Sequence, residues 1–175
     1  MKDPIEELMD EHRTIEQVLA ALEAAAQRDV PITFYERAVD FITHFADGCH
    51  HDKEEALLFP ALEAHGVPKG GGPIAVMLQE HDVGRACVAR MREAIAAADV
   101  AAARDAARDY TDLLRPHIAK EDGVLYEIAR RVLPKQEIEA LATRFEAVEV
   151  SRGDAARYRE LAARLLAEVS KEADS

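Results

Sequence analysis

The chain has 175 residues, 49% of them hydrophobic, and a formal charge of −12 from 22 Lys and Arg against 34 Asp and Glu. That length suits one domain with a sizeable core, and the carboxylate surplus is the wrong sign for gripping nucleic acid or an anionic membrane. No apolar run approaches the roughly 18 to 20 residues that cross a bilayer, and the amino terminus has no apolar signal core, so a cytoplasmic protein is expected. Two cysteines, Cys49 and Cys87, lack any CxxC spacing and read as small buried apolar residues.

Ala, Leu, Glu and Arg dominate, which favours helix in nearly every window. Asp3-Pro4 makes a capped start, and Ile5, Leu8, Met9, His12, Ile15, Leu19 and Leu22 then recur with the period of one helix face, predicting a helix from about Pro4 to Gln27. A turn at 28–31 leads to a second, long helix ending near Ala64, with a kink expected at Pro60 because proline removes an amide donor. The run from His65 to Pro73, with three consecutive glycines, is a connector; it matches no phosphate-binding glycine motif and follows no strand. A third helix is predicted from Ile74 to Ala97, with Gly84 leaving space one turn after His81, and a fourth from Ala102 to Val132 with Pro116 inside it. The remainder reads as two shorter amphipathic helices broken near Ser151-Arg152-Gly153. The expected fold is all-α, an antiparallel up-down four-helix bundle over residues 1–133 with a helical extension over 134–175 packed upon it.

The apolar stripe of each of the first four helices is interrupted by residues of metal-ligand type. His12 lies on the stripe of helix 1 and His81 on that of helix 3, while His50 with Glu54 and His117 with Glu121 form pairs four residues apart on helices 2 and 4. Side chains at i and i+4 stack on one helix face, so each pair offers an imidazole and a carboxylate to one point. Two such pairs facing each other, with a further histidine from each remaining helix, make a metal cage. A mixed nitrogen and oxygen set favours iron over calcium. The shifted pair His51 with Glu55 has the same spacing; the stripe leading through Tyr35, Val39, Ile42 and Ala46 favours His50 and Glu54 and leaves His51 and Glu55 outside the ligand set. Asp122 competes with Glu121 in the same way. His44 and His65 fit no pair.

The run His50-His51-Asp52-Lys53-Glu54-Glu55-Ala56-Leu57-Leu58-Phe59-Pro60 resembles the H-x-x-x-E-E-x-x-L-F-P signature of the hemerythrin and HHE cation-binding family. Gly72 to Met77 with Glu80-His81-Asp82 resembles the helix 3 entry of its iron-centre-repair members, and Pro116 to Asp122 resembles the family's last H-x-x-x-E segment. The likeness covers about residues 5 to 133 and implies a non-haem di-iron site, oxo- or hydroxo-bridged and carboxylate-bridged. In that site Glu54 and Glu121 bridge the irons, and His12, His50, His81 and His117 cap them. Oxygen-carrying members have two histidines four apart on helix 3, where this chain has only His81, with Met77 and Arg85 one turn away. Four inward histidines instead of five imply an open position on one iron, suited to reactivity more than to storage. The resemblance therefore predicts a site that meets oxygen, nitric oxide or peroxide, in sensing, iron handling or stress protection. The competing readings are a di-iron enzyme that consumes peroxide or nitric oxide, and a metal-free helical module pairing with a partner or a second copy of the chain as a homodimer.

Overall fold

The computed structural model describes residues 2–170, and every regular element among them is helical. Helix α1 (Pro4–Ala25) begins where Asp3 accepts hydrogen bonds from the amides of Ile5 and Glu6, with Pro4 in the first turn, where its missing N–H costs nothing. Helix α2 is continuous over 32–64 but changes winding, with π-helical stretches at Ile42–His51 and Glu54–Leu58. Helix α3 (Pro73–Ala96) follows the glycine-rich connector. Helix α4 runs over 100–132 with a π-turn at Glu121–Leu125, and α5 (Lys135–Arg152) and α6 (Ala155–Ser170) complete the chain. Gly153, at φ 68°, ends α5 in the left-handed conformation that only glycine adopts without strain. No helix among the described residues is long and apolar enough to cross a membrane.

The core is divided into two apolar clusters. One gathers Ile15, Leu19 and Leu22 of α1 with Phe41, Ile42 and Phe45 of α2, Val88 and Met91 of α3, and Leu114 and Ile118 of α4. The other gathers Ile5 and Leu8 of α1 with Leu58 and Leu62 of α2, Ile74 and Met77 of α3, and Leu125 and Tyr126 of α4. Each of the four helices thus crosses from one cluster to the other, in alternating order along the chain. Full burial of each Leu, Ile or Phe contributes about 1.5–3 kcal/mol, so the clusters fix the level at which the helices pack. The last two helices take part: Leu141 and Phe145 of α5 join the second cluster, and Tyr158, Ala162, Leu165 and Val169 of α6 join the first.

Candidate metal centre

Between the two clusters lies a layer of buried polar side chains. It comprises Glu11 and His12 from α1, His50, His51, Lys53 and Glu54 from α2, His81 from α3, and His117 and Glu121 from α4, none more than 5% exposed. Placing so many ionisable groups in a core costs several kcal/mol per charge unless partners compensate. The six residues singled out in the sequence all lie in this layer, and it contains a further histidine, His51.

The winding of α2 explains that addition. A regular α-helix would turn either His50 or His51 inward. Both lie in the π-helical stretch Ile42–His51, whose wider turn reduces the angular step between neighbours. His50 therefore sits beside His12, their ring centroids 4.5 Å apart, while His51 stacks on His81 at 3.8 Å. Two further π-turns start on the carboxylates: the amide of Phe59 bonds back to the carbonyl of Glu54, and that of Tyr126 to the carbonyl of Glu121. The irregularity expected at Pro60 is thus a π-turn just before it, and Pro116 lies within α4 one turn ahead of Glu121.

Every one of the five buried histidines presents its Nδ1 to a carboxylate. His12 pairs with Asp122 at 2.6 Å, His50 with Glu11 at 2.9 Å, His51 with Asp47 at 3.3 Å, His81 with Glu55 at 2.7 Å and His117 with Glu80 at 2.8 Å. A carboxylate accepts, so each Nδ1 carries a proton, and in the neutral ring the lone pair lies on Nε2, on the opposite side. The carboxylates are in turn held by cations: Arg13 on Asp122, Lys53 on Glu11, Arg85 on Asp47 and Glu55, and Lys120 on Glu80. Burial pushes the Glu11 carboxyl up, but the hydrogen bond and charge of His50, with Lys53, outweigh it and hold the group down at about 2.

The inward sides are unsatisfied. The Nε2 atoms of His50, His81 and His117, with Glu54 Oε2 and Glu121 Oε1, are buried without a hydrogen-bond partner. They approach one another at 3.2 Å for His117 and Glu121, 3.3 Å for His81 and Glu54, and 3.8 Å for His50 and Glu54, without hydrogen-bond alignment. The donor atoms fall into two groups, His12, His50, Glu54 and Glu121 in one and His51, His81 and His117 in the other, with all atoms of a group within 4.8 Å of each other. Without a metal, protons must supply the missing positive charge. Burial alone would depress His12 and His81, yet the bonds of His12 to Asp122 and Glu121 raise it to about 9, and the carboxylates of Glu121, Glu54 and Glu55 around His81 raise it to about 11. His51, buried and facing the charge of His81, is instead pushed down to about 3. The set fits a pair of metal cations: soft-to-borderline nitrogen donors at both ends and two carboxylates between them.

Two expectations change here. The count of four inward histidines rises to five, so the open position inferred from a missing histidine loses its basis. Glu55 and Asp122 do lie outside the inward layer, but as the partners of His81 and His12. Arg85 does not turn toward Glu54 or Glu121; it bonds Asp47, Glu55 and Asp82. His44 is half-exposed and stacks on Tyr158, and His65 bonds the carbonyl of Ala61. Sequence reasoning also missed Lys53, fully buried among Glu7, Glu11 and Glu149 at 2.5, 2.6 and 3.1 Å. Its neighbours are remote in sequence, so no local pattern announced it. Tyr126 was missed as well; its hydroxyl donates to Glu54 Oε1 at 2.7 Å and its ring stacks on His12.

An all-helical chain carrying an inward layer of histidines and glutamates belongs to the cation-binding helical proteins, and comparison with known sequences names the family. Residues 3–129 match the hemerythrin HHE cation binding domain, and the chain belongs to that family. It is also 30% identical over 155 residues to the uncharacterized proteins Rv1995 of Mycobacterium tuberculosis and Mb2018 of Mycobacterium bovis. The matched region is 81% of this chain and 59% of each relative, so the chain spans well under two thirds of the curated relatives it matches. No solved structure gives a significant match.

Proposed function

We propose that the protein is a non-haem di-iron protein, an antiparallel up-down four-helix bundle whose site interacts with oxygen, nitric oxide or peroxide. The observation that carries this reading is the orientation of the histidines. Five Nδ1 atoms are spoken for by carboxylates, while Nε2 atoms and two carboxylate oxygens converge, buried and unsatisfied, on one interior space. A metal-free helical module would have no use for that arrangement, since each orphaned buried polar atom costs about 1–3 kcal/mol. The alternating passage of α1 to α4 between the two apolar clusters supports the up-down order.

In this reading His12 and His50 would hold one iron and His51, His81 and His117 the other, with Glu54 and Glu121 supplying the carboxylates. Iron bound there would supply the redox chemistry toward oxygen, peroxide or nitric oxide. The chain's own contribution is to fix the ligands and exclude bulk water. Glu11, Asp47, Glu55, Glu80 and Asp122 lock each imidazole tautomer, and such partners strengthen the donor nitrogen. Tyr126 holds Glu54 by one oxygen and, with burial and the charge of Glu54 pushing its hydroxyl pKa well up, keeps its proton at neutral pH. The reading is tested by anaerobic reconstitution with ferrous iron followed by oxygen: a near-ultraviolet and visible band of an oxidised iron pair is expected, and a protein that takes up no iron contradicts it.

A further inference from the structure

A cavity of about 120 Å³ opens beside the His51–His81 end of the site. Its lining includes His51 and His81 with Asp47 and Glu80, the apolar Ile42, Val88 and Leu114 beside Gly84, and the polar Thr43, Arg85 and Arg92. Gly84 makes the room: a Cβ there would lie 3.6 Å from the Tyr110 ring, and a longer side chain would enter the cavity. The opposite end of the site, at His12, is closed by the stacked Tyr126 ring.

The space exceeds the need of a diatomic ligand. A water molecule takes roughly 30 Å³ of liquid, and an apolar cavity of about 150 Å³ accepts benzene, so room for about four to six heavy atoms is present. Tyr110 lines the same cavity, is 2% exposed, and its hydroxyl has no hydrogen-bond partner. An orphaned hydroxyl costs free energy in the folded protein unless something in the cavity accepts from it. The charges nearest the site are already matched, Asp47 and Glu80 by histidines and cations and Arg85 by three carboxylates, while Arg92 is exposed at the solvent side and donates to Thr43. The buried donor left without a partner is the neutral Tyr110 hydroxyl, beside the apolar surfaces of Ile42, Val88 and Leu114, and that inner part favours a neutral guest, since burying an unpaired charge costs several kcal/mol.

We infer that this cavity binds a small neutral organic oxygen compound, an alkyl alcohol or alkyl hydroperoxide of about four to six heavy atoms. Its oxygen accepts from the Tyr110 hydroxyl, and its alkyl body rests on Ile42, Val88 and Leu114. The inference rests on the di-iron reading only for what lies at the polar end; the cavity and the Tyr110 hydroxyl exist without it.

The test uses tert-butanol as an unreactive probe, followed by amide NMR shifts of Gly84 and Arg85 in the full chain loaded with zinc and in the metal-free chain. Saturable shifts are expected in both, weakened about fivefold by Tyr110→Phe, which deletes one hydrogen bond. Gly84→Leu, which fills the cavity, is expected to abolish them. Gly84→Ala, compatible with the 3.6 Å contact, is expected to weaken them partially if Gly84→Leu fails to fold. tert-Butyl hydroperoxide is expected to displace the alcohol. Shifts that never saturate, or that survive in Gly84→Leu, overturn the inference, as does isobutyrate binding tenfold more tightly than tert-butanol. Because binding is read without iron, a failed iron reconstitution sinks the di-iron reading alone.

Discussion

His50 and His51, adjacent in the chain, turn into opposite halves of the site: His50 lies with His12 and Glu54, and His51 with His81 and His117. The π-helical winding of Ile42–His51 makes this possible. If both are ligands, His51→Ala and His50→Ala are each expected to lower the iron content by about one atom per chain without loss of helical content. Retention of full iron by His51→Ala, measured by elemental analysis, would return His51 to a merely structural role.

The Nδ1 partners set the strength of the site. Glu55→Gln keeps the shape of the contact to His81 but removes the charge that holds the tautomer and shares Arg85. Such outer partners are typically worth about 10- to 100-fold in metal affinity. A competition titration with a metal-binding dye is expected to show a loss of that size for Glu55→Gln and for Glu11→Gln, and a change under twofold would deny them the role.

Lys53 is the cation that balances Glu11 and Glu7 of α1 and Glu149 of α5. Deleting one partner of a buried ion pair typically costs about 3–5 kcal/mol because the other charge is stranded. Lys53→Ala is therefore expected to lower the urea midpoint of the metal-free protein strongly. Glu149→Ala, whose carboxylate is partly exposed, is expected to cost much less. Equal effects from the two would show that α5, not the buried lysine, dominates this corner.

In the metal-free protein His12 and His81 have pKa values raised to about 9 and about 11 by the carboxylates around them. A raised folded pKa stabilises the fold fully below the unfolded value near 6.5, and that stabilisation fades as pH rises through the folded value. The metal-free protein is therefore expected to lose stability between about pH 7 and pH 11, whereas a loaded metal takes the place of those protons. Metal uptake at pH 7.5 in weak buffer is accordingly expected to release protons, followed with an indicator dye. Uptake without proton release would mean that His12 and His81 are neutral before binding.

Much of the fold is visible in the sequence because its signals are local. The Asp3-Pro4 start, the glycine-rich connector and the break at Gly153 fall within a few residues of the observed helix ends. The six inward residues His12, His50, Glu54, His81, His117 and Glu121 follow from stripes of period 3.6 interrupted by ligand-type side chains. His51 escaped because that period assumes regular winding and admits only one of two adjacent residues to a face. Lys53 and Tyr126 escaped for a different reason: their partners lie 42 and 72 residues away, and only packing brings them together. The share of α6 in the first apolar cluster is likewise a tertiary fact, since its amphipathic stripe does not say what it covers.

The central claim is a pair of irons held by five histidines and two glutamates. Its most direct test is the iron content per chain of protein purified without air. Close to two atoms are expected in the natural sequence, and close to none in Glu54→Ala combined with Glu121→Ala, with helical circular dichroism retained. A well-folded natural chain that holds no iron, or that holds two irons undiminished by loss of both glutamates, would contradict it.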